Sequence, residues 1–378
     1  MAHIAIFCDG TWNSPQAGTT THVLRLARAC ARTRDQQVLY FAGVGTGTGM
    51  ISDLGRWINR VGGGLFGWGL NRNIRAAYLE LCRIYRPGDK IMIFGFSRGA
   101  YTARSLVGMI RTCGILEHPT RGNLRRAFRL YRRRGEENGP DTPATLAERR
   151  LLSPRFATSQ ADVETRADES FLVRITYLGV WDTVGALGMP QAIVGRIARL
   201  WNRRYDFHDT SLSGLVEQAR HALALDEKRV LFEPALWSNL DPLPGDPGLN
   251  RGNRRATRPY QQVWFAGDHS IIGGNTDAEG LAAITAGWIW SEAARLGLQA
   301  APGRRVPAVT PDPGAPAPQL SQVPRLYRFL PWLMAWRRGP QTPRATSPSV
   351  LERMSQLPGY RPQSLRWLFP ELFDRDSS

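Results

Sequence analysis

The chain has 378 residues, 42% of them apolar, which is enough to bury a sizeable core in one large domain or in one domain with insertions. Its formal net charge is +17, and of its 49 basic residues only Lys90 and Lys228 are lysines. Such a positive field favours anionic partners, among them phospholipid head groups, nucleic acid and acidic substrates. No run of the sequence reaches the ~18 apolar residues that a membrane-spanning helix needs.

The cysteines and the N-terminal residues predict a cytoplasmic protein without a metal or cofactor. Cys8, Cys30, Cys82 and Cys113 form no Cys-x-x-Cys pair, and no histidine lies near enough in sequence to suggest a metal site. We therefore expect reduced, buried thiols. Residues 1–7 lack the basic start of a signal peptide. Peripheral membrane contact and secretion without a signal peptide stay open.

The first 114 residues alternate between strand and helix patterns. Apolar runs predict strands at 3–8, 38–42 and 90–96, and helical periodicity predicts helices at 21–32 and 71–85. This alternation predicts an α/β fold with a mostly parallel sheet covered by helices. A polar loop, 9–13, follows the first strand at the sheet edge where ligands bind in α/β folds.

The third predicted strand runs into Gly95-Phe96-Ser97-Arg98-Gly99, and a helix pattern follows. Glycines on both sides of Ser97 suit a strand-to-helix turn too sharp for larger side chains. Such a turn exposes the serine hydroxyl and aims the N-terminus of the helix at it. We predict that Ser97 is a nucleophile, against the alternative of a tight turn with an idle serine.

Two glycine-rich stretches raise the question of a nucleotide site. In 43–49 no register gives Gly-x-Gly-x-x-Gly, and the match at Gly62, Gly64 and Gly67 has no strand before it. The motif means little without its strand–turn–helix context. We therefore favour a mobile glycine-rich loop near the site over a phosphate-binding loop.

Arginine-rich helical insertions are predicted at about 115–170 and 186–258. Seven arginines crowd residues 121–134, which reads as a solvated basic helix, or alternatively as a cap or a surface that attracts head groups. Residues 190–205 form another amphipathic, arginine-bearing segment. Residues 215–225 read as a helix in which His221 has a packing or hydrogen-bonding role.

Two further polar side chains follow predicted strands. Asp182 comes directly after strand 171–181, and His269 lies on the loop after strand 262–266, the only one of six histidines with such a placement. The order Ser97, Asp182, His269 is the one that α/β-hydrolases use. His269 would be the base and Asp182 its partner. A turn or N-cap role is the alternative for Asp182.

The oxyanion of an attacked ester needs N–H donors near the nucleophile. We expect one from Arg98, which follows the nucleophile, and the second from the loop at Gly10 and Thr11. Asp9 and Asp268 are rival acids. Asp268 adjoins His269 and cannot readily reach its ring, whereas Asp9 would shape the oxyanion loop.

The C-terminal part changes character after a closing helix at 278–296. Residues 301–320 are rich in proline and alanine and predict a disordered linker or long loop. Residues 325–338 read either as an interfacial amphipathic helix or as a segment packed back onto the body. The predicted domains are 1–300, catalytic with its insertions, and 301–378, a proline-rich, partly ordered extension.

Several motifs resemble one family, the α/β-hydrolases among the type VI secretion phospholipase effectors of the first class, which also includes many uncharacterised bacterial proteins. They are 7–13 (FCDGTWN), 43–47 (GVGTG), 95–104 (GFSRGAYTAR), 179–185 (GVWDTVG) and 269–274 (HSIIGG), with weaker likeness at 225–227, 264–265 and 349–361. The resemblance implies a Ser-Asp-His esterase fold and phospholipase A1 or A2 activity. Ile271 departs from it, since family members often carry a polar residue there. No secretion adaptor domain is recognisable.

These observations predict a serine hydrolase that cleaves acyl esters, above all those of glycerophospholipids. A hydrolase of soluble esters or thioesters is the second hypothesis. A catalytically idle scaffold that binds anionic membrane or nucleic acid through its arginines is the third. Nucleic acid is disfavoured, because aromatic residues are not interleaved with the arginines as in known modules. The sequence identifies no protein partner.

Overall fold

The structure, a computed structural model, describes residues 1–10, 20–43, 64–166, 169–185, 211–317 and 331–373. Its strands are β1 His3–Cys8, β2 Gln36–Phe41, β3 Lys90–Phe96, β4 Phe156–Ala157, β5 Phe171–Leu172, β6 Ile175–Trp181, β7 Ala219–Ala224 and β8 Tyr260–Phe265. Six of them form a sheet in the order β2-β1-β3-β6-β7-β8, with every neighbouring pair parallel. β4 and β5 pair separately.

The helices lie on both faces of this sheet. They are α1 His22–Ala29, α2 Gly64–Ile84, α3 Arg98–Cys113, α4 Arg121–Tyr131, α5 Pro143–Leu152, α6 Gln160–Glu164, α7 His269–Gly273, α8 Glu279–Arg295 and α9 Pro348–Gln356. Side chains of α2, α3 and α4 join one buried cluster, and those of α1 and α8 join another. The predicted mostly parallel sheet flanked by helices is therefore confirmed.

Strand β3 lies at the centre of this arrangement. Ile91 and Ile93 belong to the first buried cluster, whereas Met92 and Phe94 belong to the second. A strand covered on both faces reads as a continuous apolar run, which is how the sequence predicted it.

Within the described ranges, no helix has both the length and the apolar character to cross a bilayer.

The turn between β3 and α3 has the geometry expected at a glycine-flanked serine. Ser97 has φ 57° and ψ −122°, a conformation that residues with a side chain rarely adopt. A Cβ added to Gly95 would lie 2.5 Å from the Gly99 carbonyl oxygen. One added to Gly99 would lie 2.1 Å from the Cys8 carbonyl oxygen. Both positions therefore require glycine, because backbone atoms occupy the space.

Residues 215–225 form no helix, contrary to the prediction. Residues 219–224 are strand β7, which lies between β6 and β8 and is buried along its whole length. Two polar residues, Arg220 and His221, lie in this interior strand. Both have partners: Arg220 pairs with Glu292 at 2.9 Å, and His221 contacts Gln262 at 3.1 Å. The predicted strand 171–181 is likewise two strands, β5 and β6.

The arginine-rich region before β6 packs onto α3. Ala127 and Leu130 on α4 are buried, while most arginines of that helix are exposed, as a solvated basic face requires. Arg149 on α5 is fully buried and pairs with Asp162 at 3.1 Å. Residues 44–49 and 190–205 lie outside the described residues. The boundaries of the two insertions stay predictions.

The C-terminal extension is more ordered than the sequence suggested. Residues 301–317 contain no helix or strand, yet Arg353 of α9 donates to the carbonyls of Pro313 and Ala315 at 2.6 and 2.8 Å. Residues 331–338 pack back onto the body, because Ala335 donates to the Lys228 carbonyl at 2.8 Å and Arg337 is buried. For 325–338 this favours a segment packed back onto the body over an interfacial amphipathic helix. Residues 318–330 lie outside the described residues.

Replacing Gly99 with alanine tests the close approach of α3 to β1. We expect Gly99→Ala to lower the free energy of unfolding by about 2 to 3 kcal/mol, since backbone atoms on both sides must move. Gly122→Ala is the matched control on exposed α4, where the new Cβ meets only Thr120 Oγ1 at 3.8 Å. It should be neutral or slightly stabilising. Urea unfolding measures both, and equal effects would contradict the packing argument.

Two buried histidines predict acid sensitivity. Burial, with a contribution from Arg104, lowers the pKa of His221 to about 3, and burial with Arg25 lowers that of His22 to about 3. The unfolded pKa is about 6.5. Between these values only the unfolded chain binds the proton, so each histidine makes stability fall by up to about 1.4 kcal/mol per pH unit as the pH drops.

Urea unfolding at pH 4.5 to 6 checks this sign. His221→Gln should reduce the pH slope of the unfolding free energy, whereas His118→Gln, at an exposed position, should leave it unchanged. Identical slopes in wild type and His221→Gln would show that His221 is not buried as a neutral ring.

Candidate active site

The structure brings together the three side chains predicted from strand ends. His269 Nε2 lies 2.8 Å from Ser97 Oγ, and His269 Nδ1 lies 2.6 Å from Asp182 Oδ2. Ser97 follows β3, Asp182 follows β6, and His269 follows β8 at the same edge of the sheet. Ser97 and His269 are each 5% exposed and Asp182 is fully buried, so this hydrogen-bonded row is shielded from bulk water.

The ring of His269 is fixed by its surroundings. His269 is the first residue of α7, whose N-cap is Asp268. The Asp268 carboxylate accepts from the backbone N–H groups two and three residues on, at 2.9 and 3.0 Å. The imidazole packs against Phe96 and Phe232, with ring centroids at 4.7 and 4.8 Å. Asp268 therefore acts as a cap, and the imidazole orientation is set by two aromatic rings.

Asp182 is held in a strained backbone conformation with every oxygen engaged. Its φ is 37°, which places a non-glycine residue in the left-handed region. Oδ1 accepts from the Ala224 N–H at 3.0 Å, and Arg337 donates to Oδ1 and Oδ2 at 2.7 and 2.9 Å. Burial alone would raise the pKa of Asp182, but the Arg337 guanidinium and the hydrogen bond to His269 hold it well below its usual range. The group is a carboxylate.

Arg337 is the residue that sequence reasoning missed. It comes from the extension after residue 300, it is 5% exposed, and it also donates to the Ala224 carbonyl at 2.9 Å and to the Phe232 carbonyl. In a chain with so many arginines, no local pattern distinguished this one. The only hint was its place in an aromatic stretch for which packing onto the body was one alternative.

Two further buried carboxylates hold the loop that faces His269. Asp226 accepts from Gly267 N–H at 2.7 Å and from Tyr360 OH at 2.8 Å, and burial raises its pKa. Glu227 accepts from the His269 N–H at 3.3 Å and pairs with Arg229. Burial opposes the charge of Glu227, but Arg229 keeps its pKa lower than usual. Both acids thus position the start of α7.

Of the predicted oxyanion donors, the structure describes Arg98 and Gly10. Arg98 is the first residue of α3, so its N–H lies at a helix N-terminus, where backbone dipoles favour negative charge. The Gly10 N–H, in the loop predicted to supply the second donor, donates to Asp9 Oδ1 at 2.7 Å. Thr11 lies outside the described residues. The source of the second donor stays a prediction.

Asp9 lies at the centre of a small buried network beside this edge. Its Oδ2 accepts from Thr21 Oγ1 and from Tyr40 OH, each at 2.8 Å, and burial raises the pKa of Asp9. Thr21 is also the N-cap of α1. The network joins the end of β1 to α1 and β2. Residues 11–19 lie outside the described residues, so a role of Asp9 in shaping the oxyanion loop stays a prediction.

Metal and thiol chemistry have no visible site in the part of the chain that the structure describes. There, no group of three or more histidine, cysteine, aspartate or glutamate side chains is arranged to hold a metal ion. The four cysteines are free and buried, as predicted.

Comparison with known proteins gives relatives of different kinds. A curated relative is "Uncharacterized protein YEL023C" of Saccharomyces cerevisiae, 28% identical over 258 residues, which are 65% of this chain and 34% of the relative. An uncharacterized protein from Pseudomonas aeruginosa, known from a crystal structure, is 16% identical with a TM-score of 0.42 and covers 79% of this chain and 46% of its own. The Tle1 effector bound to the VgrG spike from the type VI secretion system is 17% identical, with a TM-score of 0.34 and coverage of 73% and 51%.

This chain therefore spans between about a third and a half of the length of these relatives. The model of one family, described as "T6SS, Phospholipase effector Tle1-like, catalytic domain", matches residues 2–292. That range holds most of the chain and includes Ser97, Asp182 and His269. The chain belongs to the family of Tle1-like phospholipase effectors of the type VI secretion system, which it matches through their catalytic domain.

Proposed function

We propose that the protein is a serine hydrolase that cleaves acyl esters of glycerophospholipids, with Ser97 as nucleophile, His269 as base and Asp182 as its partner. The observation that carries this proposal is the hydrogen-bonded row from Ser97 Oγ through His269 to Asp182, with distances of 2.8 and 2.6 Å. Membership in a phospholipase effector family supports the lipid substrate and a lipid hydrolase in general.

An α/β-hydrolase arrangement is part of this proposal. It is supported by the parallel sheet, by the sharp turn that carries Ser97 between β3 and α3, and by the chain order of serine, aspartate and histidine. Each of the three follows a strand of the same sheet, and the carboxyl edge of such a sheet is where ligands bind.

The geometry suits a two-step acyl transfer. His269 Nε2 takes the proton of Ser97 as Oγ bonds to the acyl carbonyl carbon, while Asp182 fixes the imidazole tautomer and stabilises the imidazolium. The carbon–oxygen bond to the lysophospholipid then breaks, and the leaving oxygen takes the proton from Nε2. Water, deprotonated by His269, releases the fatty acid and regenerates Ser97.

The oxyanion of each tetrahedral intermediate needs at least one N–H donor. The Arg98 N–H follows the nucleophile directly and is proposed as the first donor. The second is proposed to come from the loop at residues 10–11. Removing one such donor typically costs ~3 kcal/mol of barrier. No cofactor takes part in this mechanism.

The central test is Ser97→Ala. The variant should lose labelling by a fluorophosphonate probe and lose fatty-acid release from phospholipid vesicles by about ten-thousandfold or more, because the acyl-enzyme cannot form. Ser291→Ala, at an exposed position on α8, is the matched control and should keep both. Labelling of Ser97→Ala at the wild-type rate would exclude Ser97 as the nucleophile.

The same assay separates the alternatives. Equal or faster turnover of short-chain p-nitrophenyl esters, with no release from vesicles, would favour a hydrolase of soluble esters. Absence of labelling in wild type would favour an idle scaffold. Phospholipids labelled in one acyl chain would then show whether the sn-1 or the sn-2 ester is cleaved.

We further propose peripheral contact with anionic membrane near the site. Trp332 and Trp336 are 65% and 38% exposed, and Lys228 Nζ lies 3.9 Å from the centre of the Trp336 ring. Both tryptophans precede Arg337 in the same stretch of chain, and Arg337 reaches Asp182, so this surface lies on a segment that contacts the site. Tryptophan among basic residues is typical of a membrane–water interface. Location in the cytoplasm stays a prediction.

Replacing both indoles tests this contact. We expect Trp332→Ala/Trp336→Ala to weaken cosedimentation with phosphatidylglycerol vesicles about tenfold or more, because each inserted indole buries on the order of 100 Å² at ~25 cal/mol per Å². Leu151→Ala, 70% exposed on α5, is the control for loss of an exposed apolar side chain. Equal losses in both proteins, or none in the double variant, would rule out this surface.

A further inference from the structure

The row of hydrogen bonds at Ser97 does not end at Asp182. Arg337 Nη1 donates to Asp182 Oδ1 at 2.7 Å and Nη2 donates to Oδ2 at 2.9 Å, the fork-to-fork geometry of a bidentate pair. The side chains are 3% and 0% exposed. The family match ends at residue 292, so this partner comes from outside the matched catalytic domain.

Building on the proposed function, we propose that Arg337 is a positioning residue that aligns Asp182 with His269 and, by neutralising Asp182, lets His269 act as a base at lower pH. Asp182 has two oxygens, and Arg337 contacts both, so the plane of the carboxylate is fixed with Oδ2 towards His269 Nδ1. A rotated carboxylate would lose both contacts of the fork.

The charges around the imidazole support an electrostatic role. Asp182 faces the ring nitrogen and is paired with Arg337. Glu227 faces the His269 backbone N–H and is paired with Arg229. These two carboxylates thus each have their own guanidinium, whereas Asp268 accepts from backbone N–H groups and Asp226 from the Gly267 N–H and Tyr360 OH. An imidazolium at this position would face these two ion pairs rather than two unpaired negative charges.

The remaining neighbours do not replace this charge. His221 is near enough to interact with Asp182, but burial and the positive charge of Arg104 lower its pKa to about 3, so His221 is neutral. Its Nε2 accepts from the Thr183 N–H at 3.2 Å. Phe96 and Phe232 contact the imidazole faces. Among the described residues packed on this row, Arg337 is therefore the cation that directly contacts Asp182.

The segment that carries Arg337 is tied down on both sides. The Ala335 N–H donates to the Lys228 carbonyl at 2.8 Å, and Ser364 Oγ donates to the Arg337 carbonyl at 2.9 Å. The guanidinium also donates to the carbonyls of Ala224 and Phe232. The fork is held in place before any substrate binds, which is what a positioning role requires.

The experiment compares pH profiles of kcat/KM for hydrolysis of a phospholipid by the full chain. Arg337→Gln removes the charge but keeps N–H donors; Arg337→Lys keeps the charge but cannot form the fork. Arg338→Gln, at the exposed neighbouring position, is the control for loss of one positive charge.

For Arg337→Gln we expect the acid limb of the kcat/KM profile to move about one pH unit higher, because an unpaired carboxylate stabilises the imidazolium. The loss of kcat/KM relative to wild type should reach about tenfold at pH values below the limb and diminish above it. Arg337→Lys should keep the wild-type limb with a lower plateau, and Arg338→Gln should match wild type.

Several outcomes would overturn the inference. A folded Arg337→Gln variant with the wild-type limb and a uniform loss would reduce Arg337 to a structural role. If circular dichroism shows that Arg337→Gln does not fold, Arg337→Lys becomes the deciding variant. An Arg337→Lys protein with both the acid limb and the plateau of the wild-type kcat/KM profile would contradict the proposal. Wild type without Ser97-dependent hydrolysis is a different result, which overturns the proposed function and this inference with it.

Discussion

A fully buried carboxylate determines how this site is built. Asp182 has no exposure to water, and a buried charge is stable only when it is paired and its oxygens are hydrogen-bonded. The strand next to it supplies the Ala224 N–H, the loop after β8 supplies His269, and the C-terminal extension supplies Arg337. Three distant parts of the chain must therefore meet at one point, and that requirement fixes the loops at the carboxyl edge of the sheet.

The C-terminal extension is part of this construction rather than an appendage. Besides Arg337, Tyr360 donates to the buried Asp226, whose other partner is the Gly267 N–H just before α7. Arg353 fastens the irregular stretch after residue 300 to α9. The predicted division at residue 300 is a boundary in sequence character, whereas the hydrogen bonds of the site cross it several times.

The sequence predicted those features that local physics determines. A strand, two glycines and a helix pattern are enough to place Ser97 on a sharp turn, and a polar side chain at the end of a strand must lie at the sheet edge, which identified Asp182 and His269. β7 was missed because its polar residues, Arg220 and His221, are satisfied by distant parts of the chain, among them Glu292 and Gln262. Arg337 was missed for the same reason: its role depends on a partner 155 residues earlier in the chain.

This separation has a consequence for biosynthesis. During translation, Ser97, Asp182 and His269 all leave the ribosome before Arg337 does. Until then the nascent chain has the three residues of the proposed triad, but Asp182 lacks its counter-ion and the loops beside it lack Arg337 as a hydrogen-bond donor. Assembly of the complete site is thus delayed until Arg337 has been made, which is after the six strands of the sheet.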